Sequence, residues 1–217
     1  MPVIDASVLV AYFGKGAGFR AFRPEEIAVG AWIAGGPRKH DDAMHDGIHV
    51  CTSSWRRISD DVFPPRVKSG ANYQNSRLAA VEASVNGYDD ALILTPGGKV
   101  SEASGASMML VRDGDLITPP ITDGILEGIT RTTLMRLFRR TTGRGVVERS
   151  VDRTELYIAD EMFICGSGEE VTPVVSVDRV PVGDGKVGGI TRQLQKVFFD
   201  AARGDDSEYF KDLTPVY

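Results

Sequence analysis

Four short apolar runs, Ala91 to Leu94, Lys99 to Ser101, Ser107 to Val111 and Leu116 to Thr118, follow one another with little but turn residues between them. Runs this short make poor helices, and Pro96-Gly97-Gly98 and Asp113-Gly114 carry the turn chemistry that antiparallel strands need. Further strands are predicted at Gly47 to Trp55, which alternates, at Glu161 to Cys165, which stops at Gly166, and as a pair around Val174 and Val180.

Helical periodicity is confined to a few stretches. Asn72 to Val85 carries Leu78, Val81 and Val85 at 3–4 spacing, and Gly87 stops it. Ile129 to Phe138 is led by Gly128. Asp152-Arg153-Thr154-Glu155 reads as a capping box opening a short helix through Ala159. The last helix, Thr191 to Arg203, sets Leu194, Val197 and Phe198 on one face. Residues 1–35 read as strand segments broken by Gly14-Lys15-Gly16-Ala17-Gly18 and by Arg23-Pro24, and 37–46 as an exposed loop. Short turn-linked strands with a few helices predict an α/β or α+β domain on a mixed, partly closed sheet with flanking helices.

A chain of 217 residues can build one sizeable core. Its 42% apolar content, 25% charged content and net charge of −5 describe an ordinary globular protein. The acidic balance excludes nucleic acid or an anionic membrane as the expected partner. Cys51 and Cys165 are the only cysteines; they lie far apart in apolar runs and are read as two buried thiols in a reducing cytoplasm. Met1-Pro2-Val3-Ile4-Asp5-Ala6 lacks a basic leader, and no run approaches the roughly 20 apolar residues of a membrane span, so a cytoplasmic location is expected.

Chemistry enters with Lys68, on a Pro-bounded loop in Pro65-Arg66-Val67-Lys68-Ser69-Gly70-Ala71-Asn72-Tyr73, and with Glu102, which follows it by 34 positions at a strand end. A lysine amine and a carboxylate are what a pyridoxal 5′-phosphate (PLP) site needs: the amine for a Schiff base, the carboxylate to keep the pyridinium nitrogen protonated. A free lysine has a pKa of about 10.4, so burial or nearby positive charge must depress it before Lys68 can act as a base near neutrality. Gly128-Ile129-Thr130, opening a helix, offers backbone N–H groups to a phosphate, with the Thr130 hydroxyl as a further donor. Two other signals are set aside. His40, His45 and His49 alternate with Asp41, Asp42 and Asp46 in a spacing that matches no standard metal site. Gly14 to Gly18 lacks the order of a P-loop.

With Gly128-Ile129-Thr130-Arg131 and Gly166-Ser167-Gly168-Glu169-Glu170-Val171-Thr172-Pro173 following Lys68 and Glu102 in order, the chain resembles the fold-type IV PLP enzymes, specifically the branched-chain amino acid aminotransferases (class IV aminotransferases). The likeness runs from about Ile27 to the C-terminus. It implies that Lys68 is the Schiff-base lysine and proton carrier, that Tyr73 hydrogen-bonds the cofactor phenolic oxygen, and that Glu102 faces the ring nitrogen. It further implies that Leu126 packs on the ring face, that Gly128, Ile129, Thr130 and Ser167 hold the phosphate, and that Gly168 and Glu169 hold the substrate carboxylate. A PLP-binding large domain over 36–217, a remnant of a small domain over 1–35, and a homodimer or larger assembly are expected on the same ground.

The chain also departs from that family. Most of the small domain, which gives an arginine to the phosphate and aromatic residues to the substrate pocket, is expected to be missing. Ala6-Ser7-Val8-Leu9 stands where the family has Tyr-x-Arg-Pro, Gly35 where it has a tyrosine, and Ser107-Met108 where it has Asn and an apolar residue. Glu169 replaces a small neutral residue and sets negative charge beside the carboxylate site. The expected activity is amino transfer between a small amino acid or amine, branched-chain among them, and a 2-oxo acid. A PLP lyase or decarboxylase on the same scaffold, and a non-catalytic subunit of a larger complex, stay open as alternatives.

Overall fold

The computed structural model describes residues 3–13, 28–38 and 43–208, and the chain divides into two compact units, Met1–Asp41 and Asp42–Tyr217. In the first, β1 (Val3–Phe13) and β2 (Ala28–Arg38) pair antiparallel from Val3 opposite Arg38 to Phe13 opposite Ala28. Ala6 and Gly35, two of the positions that depart from the family pattern, are register partners there. The Gly14 to Gly18 segment, Arg23-Pro24, His40, Asp41 and Asp42 lie outside the described residues.

The second unit contains α1 (Ala43–Asp46), β3 (Ile48–Arg56), α2 (Gly70–Val85), β4 (Asp90–Leu94), β5 (Val100–Ala103), β6 (Ser107–Arg112), β7 (Asp115–Thr118), α3 (Ile129–Thr142), β8 (Val146–Glu148), β9 (Glu161–Gly166), β10 (Glu170–Val177), β11 (Val180–Pro181) and α4 (Gly189–Arg203). Its sheet runs β5-β4-β3-β10-β9-β6-β7-β8, with β11 beside β10; β10 with β3, β3 with β4 and β7 with β8 are parallel and the other pairs antiparallel. The Val100 N–H donates to the Val151 carbonyl at 2.9 Å, and Lys99 bridges Asp152, so the β5 edge meets the chain that leaves β8. The sheet is thus mixed and curled almost closed.

Period-2 alternation buries both faces of this sheet. Leu92 and Leu94, Met108 and Leu110, and Met162 and Ile164 pack with Val50, Val174 and Leu156 in one core. Their neighbours Met109, Val111, Phe163 and Cys165 point the other way, onto Leu134, Leu137 and Phe138 of α3 and Leu194 of α4. Ala91 and Ile93 meet Cys51 and the Ala79 and Ala83 side chains of α2.

That last contact corrects the expected face of α2. Leu78, Val81 and Val85 are 45%, 55% and 80% exposed, and the buried stripe is Asn72, Ser76, Ala79 and Ala83. The small side chains let α2 lie close on β3 and β4, which turns the large aliphatic residues outward. The capping box is also not formed. The Asp152 carboxylate takes the Lys99 ammonium at 2.6 Å, and Glu155 goes to Arg149 and Arg112, so the turn Arg153–Ile158 is a 3-10 helix without a side-chain cap. Cationic side chains, which pair with a full charge, take both carboxylates from the backbone N–H groups that a cap would use.

The expected loop at 37–46 is shorter than predicted, since β2 continues through Arg38 and Ala43–Asp46 is helical. Strand β8 and the 3-10 turn Ile121–Asp123 are additions to the predicted elements. The Asp113-Gly114 turn has both residues left-handed, at φ 53° and 77°, as its sequence predicts. Cys51 and Cys165 are buried free thiols, and burial pushes them up to about 11 and about 12, out of reach of thiolate chemistry.

Candidate functional site

Asn72, on the first turn of α2 and 4% exposed, donates its amide N–H groups to the Pro64 carbonyl at 2.9 Å and the Val67 carbonyl at 2.7 Å. The Ser69 N–H returns to the Val67 carbonyl at 2.8 Å, so the backbone on both sides of Lys68 is fixed. The Lys68 side chain itself is exposed rather than buried, and its ammonium makes no hydrogen bond or ion pair among the described residues. Tyr73 follows on α2 with its ring outward rather than in the core.

Glu102 is buried in β5. Its Oε2 accepts the Leu126 N–H at 2.8 Å and its Oε1 meets the Arg57 guanidinium at 2.7 Å. Burial pushes the carboxyl above the ordinary carboxylate range, and Arg57 and the Leu126 N–H oppose that rise. Arg57 was missed in the sequence, where Arg56 and Arg57 stand side by side and look alike. Only the meeting of β5, Gly124 and α2 turns one of them inward.

Gly128 caps α3 at its N-terminus, and a Cβ there would come within 3.1 Å of the Ser107 Oγ of β6. Thr130 is buried, Leu126 half-buried and Ile129 exposed. Ser107 pairs with Cys165 in register, and Gly166 lies against Gly105 and Ala106, so the turn at Ser167, Gly168 and Glu169 leaves β9 at the same end of the sheet. There the Thr172 hydroxyl donates to the Glu169 carbonyl at 2.7 Å. Arg66 pairs with Glu127 at 3.2 Å across the surface and ties the Lys68 loop to the Leu126–Gly128 segment.

The structure therefore joins Glu102 to the Leu126 N–H, sets Gly128 beside Ser107 and links Arg66 of the Lys68 loop to Glu127, but sets neither the Lys68 ammonium nor the Tyr73 hydroxyl against Glu102. The donor set fits PLP: a buried carboxylate for a ring nitrogen, and a helix N-terminus whose glycine admits a phosphate closely. Ser69 Oγ and Asn72 Oδ1 next to Lys68, and Ser101 Oγ next to Glu102, are buried polar atoms short of a partner among the described residues. Among those residues no three His, Cys, Asp or Glu side chains gather as for a metal, and no helix is long and apolar enough to cross a membrane.

Comparison with known proteins points the same way. The family model for amino-transferase class IV matches residues 5–177. A probable branched-chain-amino-acid aminotransferase of Aquifex aeolicus (strain VF5) is 46% identical over 171 residues, 79% of this chain and 55% of that protein. The branched-chain amino acid aminotransferase of Thermobaculum terrenum in its PLP form superposes with a TM-score of 0.91 at 45% identity, covering 99% of this chain and 69% of that one. A branched-chain amino acid aminotransferase of T.th. complexed with 4-methylvaleric acid gives a TM-score of 0.88 at 34% identity, again over 99% and 69%. The chain spans a little over half the length of the curated relatives it matches.

Proposed function

The chain belongs to the class IV aminotransferases and has their type IV fold, and from that premise we propose that it is a PLP-dependent aminotransferase acting on small amino acids, branched-chain ones foremost, and 2-oxo acids. The observation that carries this reading is Glu102, a buried carboxylate joined through the Leu126 N–H to the segment that opens α3. The relatives' names, and the branched acid in the complex with 4-methylvaleric acid, support the substrate class.

When bound, PLP supplies an aldehyde carbon for the amino group and a ring that accepts electrons. The Lys68 amine would be the group that holds that carbon and, when free, would carry the proton at the substrate Cα. Tyr73 would offer its hydroxyl to the phenolic oxygen. Glu102 would partner the ring nitrogen and keep its proton in place, and Leu126 would lie beside the ring. The Gly128, Ile129 and Thr130 N–H groups, with the Thr130 and Ser167 hydroxyls, would hold the phosphate at the positive end of α3. The backbone amides of the turn at Gly168 and Glu169 would receive the substrate carboxylate.

The Glu169 side chain favours a second reading, a PLP lyase or decarboxylase, because its negative charge disfavours a carboxylate beside it. Product analysis with a panel of amino acids separates the two. We also read the protein as a dimer or larger, which the outward Leu78, Val81 and Val85 support, and as cytoplasmic, which its buried free thiols support.

The test is the absorption spectrum after PLP addition and dialysis, followed by borohydride and mass analysis of the peptide containing Lys68. A bleached band with the reduced cofactor on Lys68, absent in Lys68→Ala, is expected. A parent chain that retains no PLP would defeat the enzymatic reading and leave the non-catalytic subunit.

A further inference from the structure

We propose that Arg57 is the positioning residue that keeps Glu102 a carboxylate aimed at the cofactor ring nitrogen. This rests on the reading of Glu102 as the partner of that nitrogen.

Arg57 is 5% exposed and tied to four parts of the fold. Its backbone N–H donates to the Leu94 carbonyl of β4 at 2.8 Å and its Nε to the Gly124 carbonyl at 2.9 Å. Nη1 reaches the Ser76 hydroxyl of α2 at 3.5 Å, and Nη2 stands 2.7 Å from Glu102. A guanidinium held at this many points cannot follow a carboxylate that moves, so the carboxylate is held to it. With Arg57 on Oε1 and the Leu126 N–H on Oε2, Glu102 is oriented by two donors and keeps lone pairs for a third.

The pair also decides where a proton shared with the ring nitrogen resides. A proton on Glu102 would leave the buried Arg57 charge uncompensated, which is costly. The proton is therefore driven onto the nitrogen, where it makes the ring an electron acceptor. Without Arg57, burial alone would draw the proton to Glu102, and the resulting acid would donate its hydrogen to an unprotonated ring.

The coupling can be read without the cofactor. In the full chain labelled with carboxyl-¹³C glutamate, Glu102 is assigned by the resonance lost in Glu102→Gln and titrated by NMR. Arg57→Gln is expected to raise its midpoint by about one pH unit or more, a tenfold gain in proton affinity, and Arg57→Lys to return it most of the way. If Arg57→Gln does not fold, Arg57→Met, which fills the same stem volume without charge, is judged by the same criterion. A folded variant with an unmoved midpoint overturns the proposal. PLP retention by the parent is measured in parallel. A parent that binds PLP while Glu102 ignores Arg57 defeats the role of Arg57 alone. A parent that binds no PLP defeats the cofactor reading, and with it the aim of Glu102 at a ring nitrogen.

Discussion

Asn72 and Ser76 lie one turn apart on the buried face of α2; Asn72 grips the carbonyl that precedes Lys68, and Ser76 meets the guanidinium that pairs with Glu102. One helix face thus sets both the lysine loop and the carboxylate, residues that no direct contact joins.

Asn72→Ala removes both amide bonds to the loop. The loss of two bonds at a buried site is expected to cost about 1–3 kcal/mol in urea denaturation and to weaken PLP retention. Unchanged retention in a folded variant would separate the loop from the cofactor site.

Gly128→Ala places a methyl group within 3.1 Å of Ser107 Oγ and 3.5 Å of the Arg131 Cβ, at the mouth of α3. PLP affinity is expected to fall by about tenfold, or ~1.4 kcal/mol, with the circular dichroism spectrum kept. Adding Ser107→Ala makes room and should recover part of the loss in the same fluorescence titration.

Glu155 accepts bonds from Arg149 at 2.8 Å and Arg112 at 3.2 Å, and Arg149 first holds its carboxyl below the ordinary glutamate value of 4.5. A lowered folded-state value means stability that is complete above the unfolded value and is lost as pH falls through the folded one. Glu155→Gln should therefore lower the thermal midpoint at neutral pH and flatten its decline below about pH 4.3. A decline as steep as the parent's would show that other carboxylates control acid unfolding.

Val81 is more than half exposed on the outer stripe of α2. Val81→Glu is expected to change stability by less than about 0.5 kcal/mol but to shift the light-scattering mass from dimer or larger towards monomer. A parent that is already monomeric at micromolar concentration would remove the assembly reading.

Local signals were legible in the sequence. Pro96-Gly97-Gly98 and Asp113-Gly114 turned where expected, Gly128 began a helix, and Gly166 ended a strand, because glycine and proline act on their own backbone. What depended on neighbours was not legible. The face of α2 was chosen by the small residues that let it approach β3 and β4, against the hydrophobicity of Leu78, Val81 and Val85. Glu155 gave up its cap for Arg149, six residues before it, and for Arg112, 43 residues away. Arg57 and Asn72, which hold Glu102 and the Lys68 loop, carry no pattern that marks them, since their roles exist only once β5, α2 and Gly124 have met.

The seam between Lys99-Val100 and Val151-Asp152 joins residues that in the Lys99–Asp152 ion pair are 53 apart in the chain. It leaves β5 without a bare edge for another molecule's strand to add to. Its closure is expected to follow the formation of β6 and β7 between its two sides, which shortens the loop to be closed and saves about 0.6 kcal/mol for each halving of that loop. The Val100 amide should then be among the last in this sheet to gain protection from hydrogen exchange during refolding, and a pulse-labelling experiment would see the ring shut there.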